Sequence, residues 1–249
     1  MIIDTHCHLF MEEYEDLYLL IQNLEKENII AIVNGYDYKT SMEAYDLSTK
    51  HKNIYCALGI HPNNIMDSQK EKDYLFEKII NNKKVLAIGE IGLDYYHNDS
   101  NKEDQIKEFK KQIEYAVKYK KPIIVHTRDS IQDVYDVLSK YNVKGIIHAY
   151  SGSAEMAKRF INIGYKIGIG GVLTFKNSNL SEVVKQIGLE NIVLETDSPY
   201  LTPHPYRGEQ NSPIYLKIVI KKLSEIFNIT EKEVIEKTYS NCLSLFDLE

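Results

Sequence analysis

The chain lacks most features of secreted and membrane proteins. It has only three cysteines, Cys7, Cys56 and Cys242. Their odd number and wide spacing exclude a disulfide framework and a zinc knuckle, and they fit a reducing compartment. No apolar run approaches the roughly 20 residues of a membrane span, and the N-terminus has neither the basic region nor the apolar core of a secretory signal. We therefore expect a cytoplasmic protein that binds no membrane.

Positive charge is also scarce, because 30 Lys and Arg stand against 36 Asp and Glu, which gives a formal charge of −6. This balance excludes a chain that is basic throughout, although net charge does not exclude a local basic rim. Hydrophobic residues make up 43% and charged residues 27%, which is ordinary globular usage and excludes disorder as the main description. No Pro-rich or Ser-rich linker divides the sequence, so we expect one domain over residues 1–249.

Short, apolar, β-branched runs alternate with longer amphipathic segments along the whole chain. Each short run is apolar on both faces, as is typical of a buried parallel strand. Eight such strands are predicted: Met1–His6, Ile29–Val33, Ile54–Leu58, Val85–Ile88, Pro122–Val125, Lys144–Ile147, Tyr165–Ile169 and Asn191–Leu194. Strands that alternate with helices predict an α/β fold with a parallel sheet.

Helical spacing of apolar residues is clear over 106–117 and 131–138, and two further helices are predicted over 217–227 and 230–246. Thr230 and Glu233 form a capping-box pattern at the start of the last helix. Eight strands, each followed by a helix, in about 250 residues predict a (β/α)8 TIM barrel with a parallel eight-stranded core. The competing doubly wound sheet usually carries a glycine-rich turn after its first strand, where this chain has His6, Cys7 and His8.

Polar side chains interrupt the apolar pattern at the ends of five predicted strands. In a barrel these carboxyl ends line the active-site mouth. His6 and His8 lie two residues apart and share one strand face. Taken singly, each of these residues is compatible with an ordinary structural histidine or a salt bridge. Together they predict one cluster of nitrogen and oxygen ligands: His6, His8, Glu90, His126, His148 and Asp197.

Such a cluster would be a costly polar core without a cation, whereas two divalent ions about 3.5–4 Å apart would suit it. We expect His6, His8 and Asp197 to bind one ion. His126 and His148 would bind the other, and Glu90 would bridge the two. Such a pair of ions lowers the pKa of a shared water and supplies hydroxide near neutral pH. The carboxylates favour Mg²⁺ or Mn²⁺, and the four imidazoles also suit Zn²⁺.

Eight sequence stretches, in order through the chain, carry a family resemblance. They are DTHCHL at 4–9, GIHP at 59–62, GEIGLDYY at 89–96, HTRDS at 126–130, HAYSG at 148–152, GGVLTFKN at 170–177, LETDSPYL at 194–201 and RGEQNSP at 207–213. On these motifs the chain resembles the TatD family of metal-dependent deoxyribonucleases, within the amidohydrolase-like barrels.

The resemblance implies that the positions of the same six residues bind metal, and that Asp197 also lies where the family has its acid/base carboxylate. It further implies metal-dependent hydrolysis of DNA phosphodiesters, often as a 3′-to-5′ exonuclease that prefers single strands. Relatives often read HCFSG and RGKRNEP where this chain has HAYSG and RGEQNSP. Glu209 and Gln210 remove positive charge near the expected phosphate rim, which should weaken binding of long nucleic acid.

Four residues outside the ligand set are candidates for substrate binding. Arg128 shares a strand face with His126, so its guanidinium can clamp a phosphate, with an ion pair to a neighbouring carboxylate as the alternative. Arg207 in an irregular loop is a second clamp. His61 either donates to a phosphate or caps a loop, and Lys176 either contacts a phosphate or lies on the surface.

The sequence therefore predicts a hydrolase in which Glu90 and Asp197 are catalytic and Glu195 orients a ligand. Its expected substrate is DNA with single-stranded or frayed 3′ ends, and we expect a monomer; the sequence identifies no protein partner. An amide, ester or lactone hydrolase on the same scaffold is the first alternative, although such barrels often carry a carboxylated lysine where Glu90 lies. A non-catalytic interaction barrel is the second, and no member of the ligand set is missing.

Overall fold

Strands and helices alternate along the computed structural model, which describes residues 1–66, 69–97 and 100–248. The strands are β1 Ile2–Cys7, β2 Ile29–Asn34, β3 Ile54–Leu58, β4 Val85–Asp94, β5 Ile123–Arg128, β6 Gly145–Ile147, β7 Tyr165–Ile169 and β8 Ile192–Leu194. The α-helices are α1 Leu17–Lys26, α2 Tyr38–Lys50, α3 Gln69–Tyr74, α4 Lys102–Tyr119, α5 Ile131–Leu138, α6 Ala154–Asn162, α7 Leu180–Ile187, α8 Leu216–Phe227 and α9 Glu231–Leu243.

The eight strands pair in parallel and in chain order, from β1 to β8. This order confirms the predicted (β/α)8 barrel, because a doubly wound sheet reverses its strand order partway. The edges β1 and β8 meet through a bridge between Cys7 and Ser198. Across this seam the Asp197 N–H donates to the His6 carbonyl at 2.9 Å, and the His8 N–H donates to the Ser198 carbonyl at 2.7 Å. The two ends of the barrel wall therefore come together at the predicted ligands.

Strand β4 is longer than the apolar pattern predicts, since it continues past Ile88 to Asp94. Its pairing with β5 shifts register between Ile88 and Ile91, and beyond the shift Gly92 pairs with His126. Gly92 has φ +149°, and a Cβ there would lie 2.1 Å from the His126 carbonyl oxygen. Only glycine therefore lets β4 follow β5 this closely, and the extension carries Asp94 into the barrel mouth.

Two apolar layers hold the barrel. One lies between the sheet and the surrounding helices, and the other fills the barrel interior with alternate strand residues such as Ile32, Ile124 and Val193. Cys242 and Phe246 at the C-terminus pack into the interior layer. None of the helices within the described residues has the length and apolarity to cross a membrane.

The last helix begins as predicted and ends earlier. The Thr230 hydroxyl accepts from the Glu233 N–H at 3.2 Å, and the Glu233 carboxylate accepts from the Thr230 N–H at 2.8 Å. This reciprocal pair confirms the capping box. Helix α9 ends at Leu243 instead of Phe246, because the chain turns there and delivers the Phe246 ring into the barrel interior.

Candidate metal centre

All six predicted ligands meet at the carboxyl end of the barrel. Three of them lie within strands β1, β4 and β5, and the other three follow β1, β6 and β8: His6, Glu90 and His126 are in the strands, and His8, His148 and Asp197 follow them. Four of the six side chains are at most 6% exposed, while those of His126 and Asp197 are 16% and 17% exposed. The cluster is therefore buried on its barrel side and open toward the mouth.

Glu90 lies at the centre of the cluster. Its Oε1 is 2.9 Å from His126 Nδ1 and 2.8 Å from His148 Nε2. Its Oε2 is 3.5 Å from His6 Nε2 and 3.7 Å from His8 Nε2. One carboxylate thus presents one oxygen to each pair of imidazoles, which is the arrangement needed to bridge two cations.

The atoms on each side of Glu90 have the spacing of a single coordination sphere. His6 Nε2 and His8 Nε2 are 3.2 Å apart, and Asp197 Oδ1 lies 3.4 and 3.5 Å from them. On the other side, His126 Nδ1 and His148 Nε2 are also 3.2 Å apart. Ligand atoms that bind one ion at about 2.0–2.2 Å lie roughly 3–3.5 Å from each other. The two predicted ligand sets therefore each fit one ion.

Hydrogen bonds around the cluster leave ring nitrogens with lone pairs facing inward. His8 Nδ1 is 2.9 Å from the Asn34 carbonyl oxygen. That oxygen can only accept, so Nδ1 carries the proton and Nε2 faces the cluster unprotonated. His126 Nε2 is 3.2 Å from Asp94 Oδ2, which in the same way directs its Nδ1 lone pair toward Glu90. A ring nitrogen that faces a carboxylate needs a proton or a metal ion between them, and the convergence of several such nitrogens on two carboxylates fits divalent metal.

The pKa values of the cluster follow from burial and from its carboxylates. Burial and the neighbouring His6 lower the pKa of His148 to about 4, so this imidazole is neutral. Burial opposes charge on His126 as well, but Asp94 and Glu90 outweigh it and raise its pKa to about 9. The carboxylates thus stabilise positive charge in the cluster. A bound cation would supply that charge and displace the proton from His126.

Two carboxylates that the ligand prediction omitted support the cluster. Asp94 is buried; its Oδ2 faces His126, and its Oδ1 accepts from the backbone N–H groups of Tyr96 and His97, each at 3.0 Å. Asp4 accepts from the Thr196 N–H at 3.0 Å and thereby ties β1 to the segment after β8. Burial raises the pKa of Asp4 to about 7. Asp94 could have been found in the GEIGLDYY stretch, had the strand been extended past its first glycine.

Glu195, predicted to orient a ligand, lies beside the cluster and forms a hydrogen bond to the backbone there. One carboxylate oxygen accepts from the Ala149 N–H, directly after His148. Its Oε2 and the Nδ1 atoms of His6 and His148 are buried without a hydrogen-bond partner among the described residues. A Cβ at Gly168 would lie 2.2 Å from Oε2. Burial raises the pKa of Glu195 to about 8.

Two of the four predicted substrate residues line the cavity above the cluster. Arg128 is exposed there, with its guanidinium carbon 4.3 Å from the centre of the Tyr96 ring. His61 Nε2 lies 3.6 Å from Glu90 Oε1, and its Nδ1 accepts from the Asn63 N–H at 3.2 Å. His61 therefore caps the Pro62–Asn64 turn and also faces the site. Burial lowers the pKa of His61 to about 3, so its ring is neutral.

The structure places the other two predicted substrate residues outside that cavity lining. Arg207 lies with its guanidinium carbon 4.0 Å from the centre of the Phe175 ring, and it donates to the Thr202 carbonyl at 3.1 Å. Lys176 is exposed. The cavity over the cluster measures about 770 Å³ and opens to solvent, a size typical of small-molecule and substrate sites.

A parallel barrel whose mouth holds a cluster of this composition is typical of metal-dependent hydrolases, and this is the class to which the fold and the site assign the protein. The family profile described as TatD related DNase matches residues 3–247. The chain belongs to this TatD family, as the sequence motifs predict.

Similar proteins span the whole chain. The uncharacterised metal-dependent hydrolase YabD of Bacillus subtilis is 38% identical over 252 residues, covering 99% of both chains. The solved YjjV structure, a TatD homologue from Escherichia coli, is 28% identical, covers 100% of this chain and 98% of its own, and superposes with a TM-score of 0.92. A TatD family hydrolase from Entamoeba histolytica is 26% identical, covers 100% and 98%, and has a TM-score of 0.83.

Proposed function

We propose that this protein is a deoxyribonuclease that hydrolyses DNA phosphodiesters from single-stranded or frayed 3′ ends with two divalent cations. The observation that carries this proposal is Glu90, whose two oxygens face two separate ligand sets. His6, His8 and Asp197 would hold one ion, and His126 and His148 would hold the other. When bound, the ions supply Lewis acidity toward a phosphoryl oxygen and make a nucleophile available near neutral pH.

Asp197 is the residue best placed to move the proton. Burial opposes its charge, but the imidazoles of His6 and His8, whose Nε2 atoms lie 3.4 and 3.5 Å from its Oδ1, outweigh this and hold its pKa below the ordinary value. It is therefore an anion that lines the cavity. Its carboxylate can accept a proton from the attacking water and deliver it to the leaving oxygen.

Arg128 is the residue best placed to hold a phosphate at the mouth. It is exposed and rests against the Tyr96 ring, and no ion pair to Asp129 or Glu90 is recorded for it among the described residues. A guanidinium with its donors available can bind two phosphate oxygens at once and neutralise charge that develops in the transition state.

We expect the protein to work in the reducing cytoplasm, and its three buried free cysteines are consistent with that compartment.

The test uses metal-stripped protein and a 5′-labelled single-stranded DNA oligonucleotide, with Mg²⁺, Mn²⁺ or Zn²⁺ added in turn. We expect a metal-dependent ladder that shortens from the 3′ end. Glu90→Ala and Asp197→Asn should each lose activity by orders of magnitude while circular dichroism shows the fold intact. Glu182→Gln, on the exposed surface of α7, is the matched charge control and should keep the ladder.

Two outcomes would contradict the proposal in different ways. An intact oligonucleotide with every metal, despite two bound ions per chain, would favour the amide, ester or lactone hydrolase. Absence of bound metal in elemental analysis of the reloaded protein would reject the metal centre itself.

A further inference from the structure

A second cavity, of about 350 Å³, adjoins the cavity over the metal cluster. Ser151 and Val172 line both cavities, so a ligand held at the cluster can extend from one into the other. We propose that this second cavity binds the nucleobase of the nucleotide whose phosphate lies at the metal centre. The proposal rests on the proposed function and assigns it a subsite.

The first feature that suits a nucleobase is an aromatic wall. Phe175 lines the cavity and directly follows the short 3₁₀ turn Gly171–Thr174. Its backbone N–H donates to the Val172 carbonyl in that turn at 3.1 Å. The Arg207 guanidinium carbon lies 4.0 Å from the ring centre. The guanidinium covers one face of the ring and holds it in place, and the part of the ring that lines the cavity is a surface on which any base can stack, because every base has a π-face.

The second feature is a set of uncommitted amides. Asn177 and Asn179 line the cavity and are exposed. Within the described residues neither side chain has a recorded hydrogen bond, and Asn179 does not cap helix α7 although it precedes it. The Leu180 N–H is bonded to the Ser178 hydroxyl at 3.2 Å instead. An amide both donates and accepts, as base edges do, so these side chains can bind a base without further rearrangement.

The third feature is the absence of charge from the lining. Every described residue that lines this cavity is neutral, whereas the metal cavity is lined by histidines, carboxylates and Arg128. A phosphate would gain little here, and a planar neutral ring can stack and form hydrogen bonds. The two cavities therefore suit different parts of a nucleotide: the charged phosphate would bind at the metal centre, and the neutral base would bind beside Phe175.

Binding equilibria of the metal-loaded protein test this subsite without cleavage. Isothermal titration calorimetry compares deoxyadenosine 5′-monophosphate with deoxyribose 5-phosphate, which carries the same phosphate and sugar but no base. We expect the nucleotide to bind about 5- to 150-fold more tightly, which is the range that stacking of one base gives. Phe175→Leu should bring this ratio close to one.

A second variant and a control protect the test against unfolding. Asn177→Ala changes an exposed side chain with no recorded partner among the described residues, so the fold should survive, and the ratio should fall several-fold. Tyr18→Leu, an aromatic residue 51% exposed on α1, should keep the full ratio.

Equal affinity for both ligands in the unmodified protein would overturn the subsite, as would a ratio that survives both cavity variants. Failure to bind either ligand would overturn it too. Failure of the nuclease proposal has a different signature, because the oligonucleotide then stays intact whatever the nucleotide binding. Conversely, a 3′-shortening ladder together with a ratio of one would retain the nuclease and reject the subsite.

Discussion

Replacement of Asp94 by asparagine should weaken metal binding while it leaves the shape of the site unchanged. Asn retains one oxygen, which can keep both backbone hydrogen bonds from Tyr96 and His97. The new amide NH₂ then faces His126 Nε2 and His97 Nδ1, at the position of an oxygen that is 3.2 and 2.8 Å away from them. Since two donors cannot share one hydrogen bond, the His126 proton must move to Nδ1. That nitrogen faces Glu90 and would no longer offer a lone pair to a cation.

The expected size of this effect comes from the role of Asp94 as the outer partner of a ligand. Loss of such a partner typically weakens metal affinity 10- to 100-fold, or by about 1.4–2.7 kcal/mol. Only the ion proposed to bind His126 and His148 should be affected. His6 and His8 have no hydrogen bond to Asp94 among the described residues, so the other ion should keep its affinity.

Calorimetric titration of the metal-free protein with Mn²⁺ measures both affinities. Asp129→Asn is the matched control, because it removes an equal charge from the same mouth and Asp129 is exposed with no recorded bond to a ligand. Circular dichroism establishes that both variants are folded. Unchanged affinity at both ions in Asp94→Asn would refute the tautomer argument, and an equal loss in the control would replace it with a simple charge effect.

Three further perturbations have expected outcomes on stability. Chelation of the metal should lower the melting temperature reversibly, since an ion at 100 times its Kd adds about 2.7 kcal/mol; an unchanged melting curve would count against the centre. Gly92→Ala should cost about 2 kcal/mol or more in urea unfolding, because its Cβ would lie 2.1 Å from the His126 carbonyl oxygen. Gly208→Ala should cost less, because a Cβ at Gly208 would meet no atom of the described residues within 4 Å. Thr230→Ala should cost about 1 kcal/mol with an unchanged urea m-value, and no loss would mean that the capping box contributes nothing.

The barrel was predictable because its strands are buried on both faces. The run Ile54–Leu58 is apolar throughout, Tyr165–Ile169 is interrupted only by Lys166, and the predicted limits of both match the structure. Their alternation with amphipathic segments leaves few topologies. The ligand cluster was predictable for a related reason, since polar residues directly after such strands can only meet at one end of a barrel.

What the sequence did not predict depends on contacts between distant segments. Asp94 was missed because Gly89 and Gly92 interrupt the apolar run, and only pairing with β5 extends the strand. The end of α9 was placed three residues too late, because Phe246 continues the helical spacing but packs into the barrel interior. The stacking of Arg207 on Phe175 joins two loops far apart in the chain, which no local pattern indicates.

The seam between β1 and β8 has a consequence for how the protein is made. His6 and His8 leave the ribosome near the start of synthesis, whereas Asp197 follows only after most of the chain has been translated. In the proposed arrangement one ion joins all three across the seam, which among the described residues is otherwise closed by the Cys7–Ser198 bridge and by backbone and side-chain hydrogen bonds. The ion proposed to bind His6, His8 and Asp197 can therefore be bound only when translation is nearly complete, and its binding would stabilise the closure of the barrel between β1 and β8.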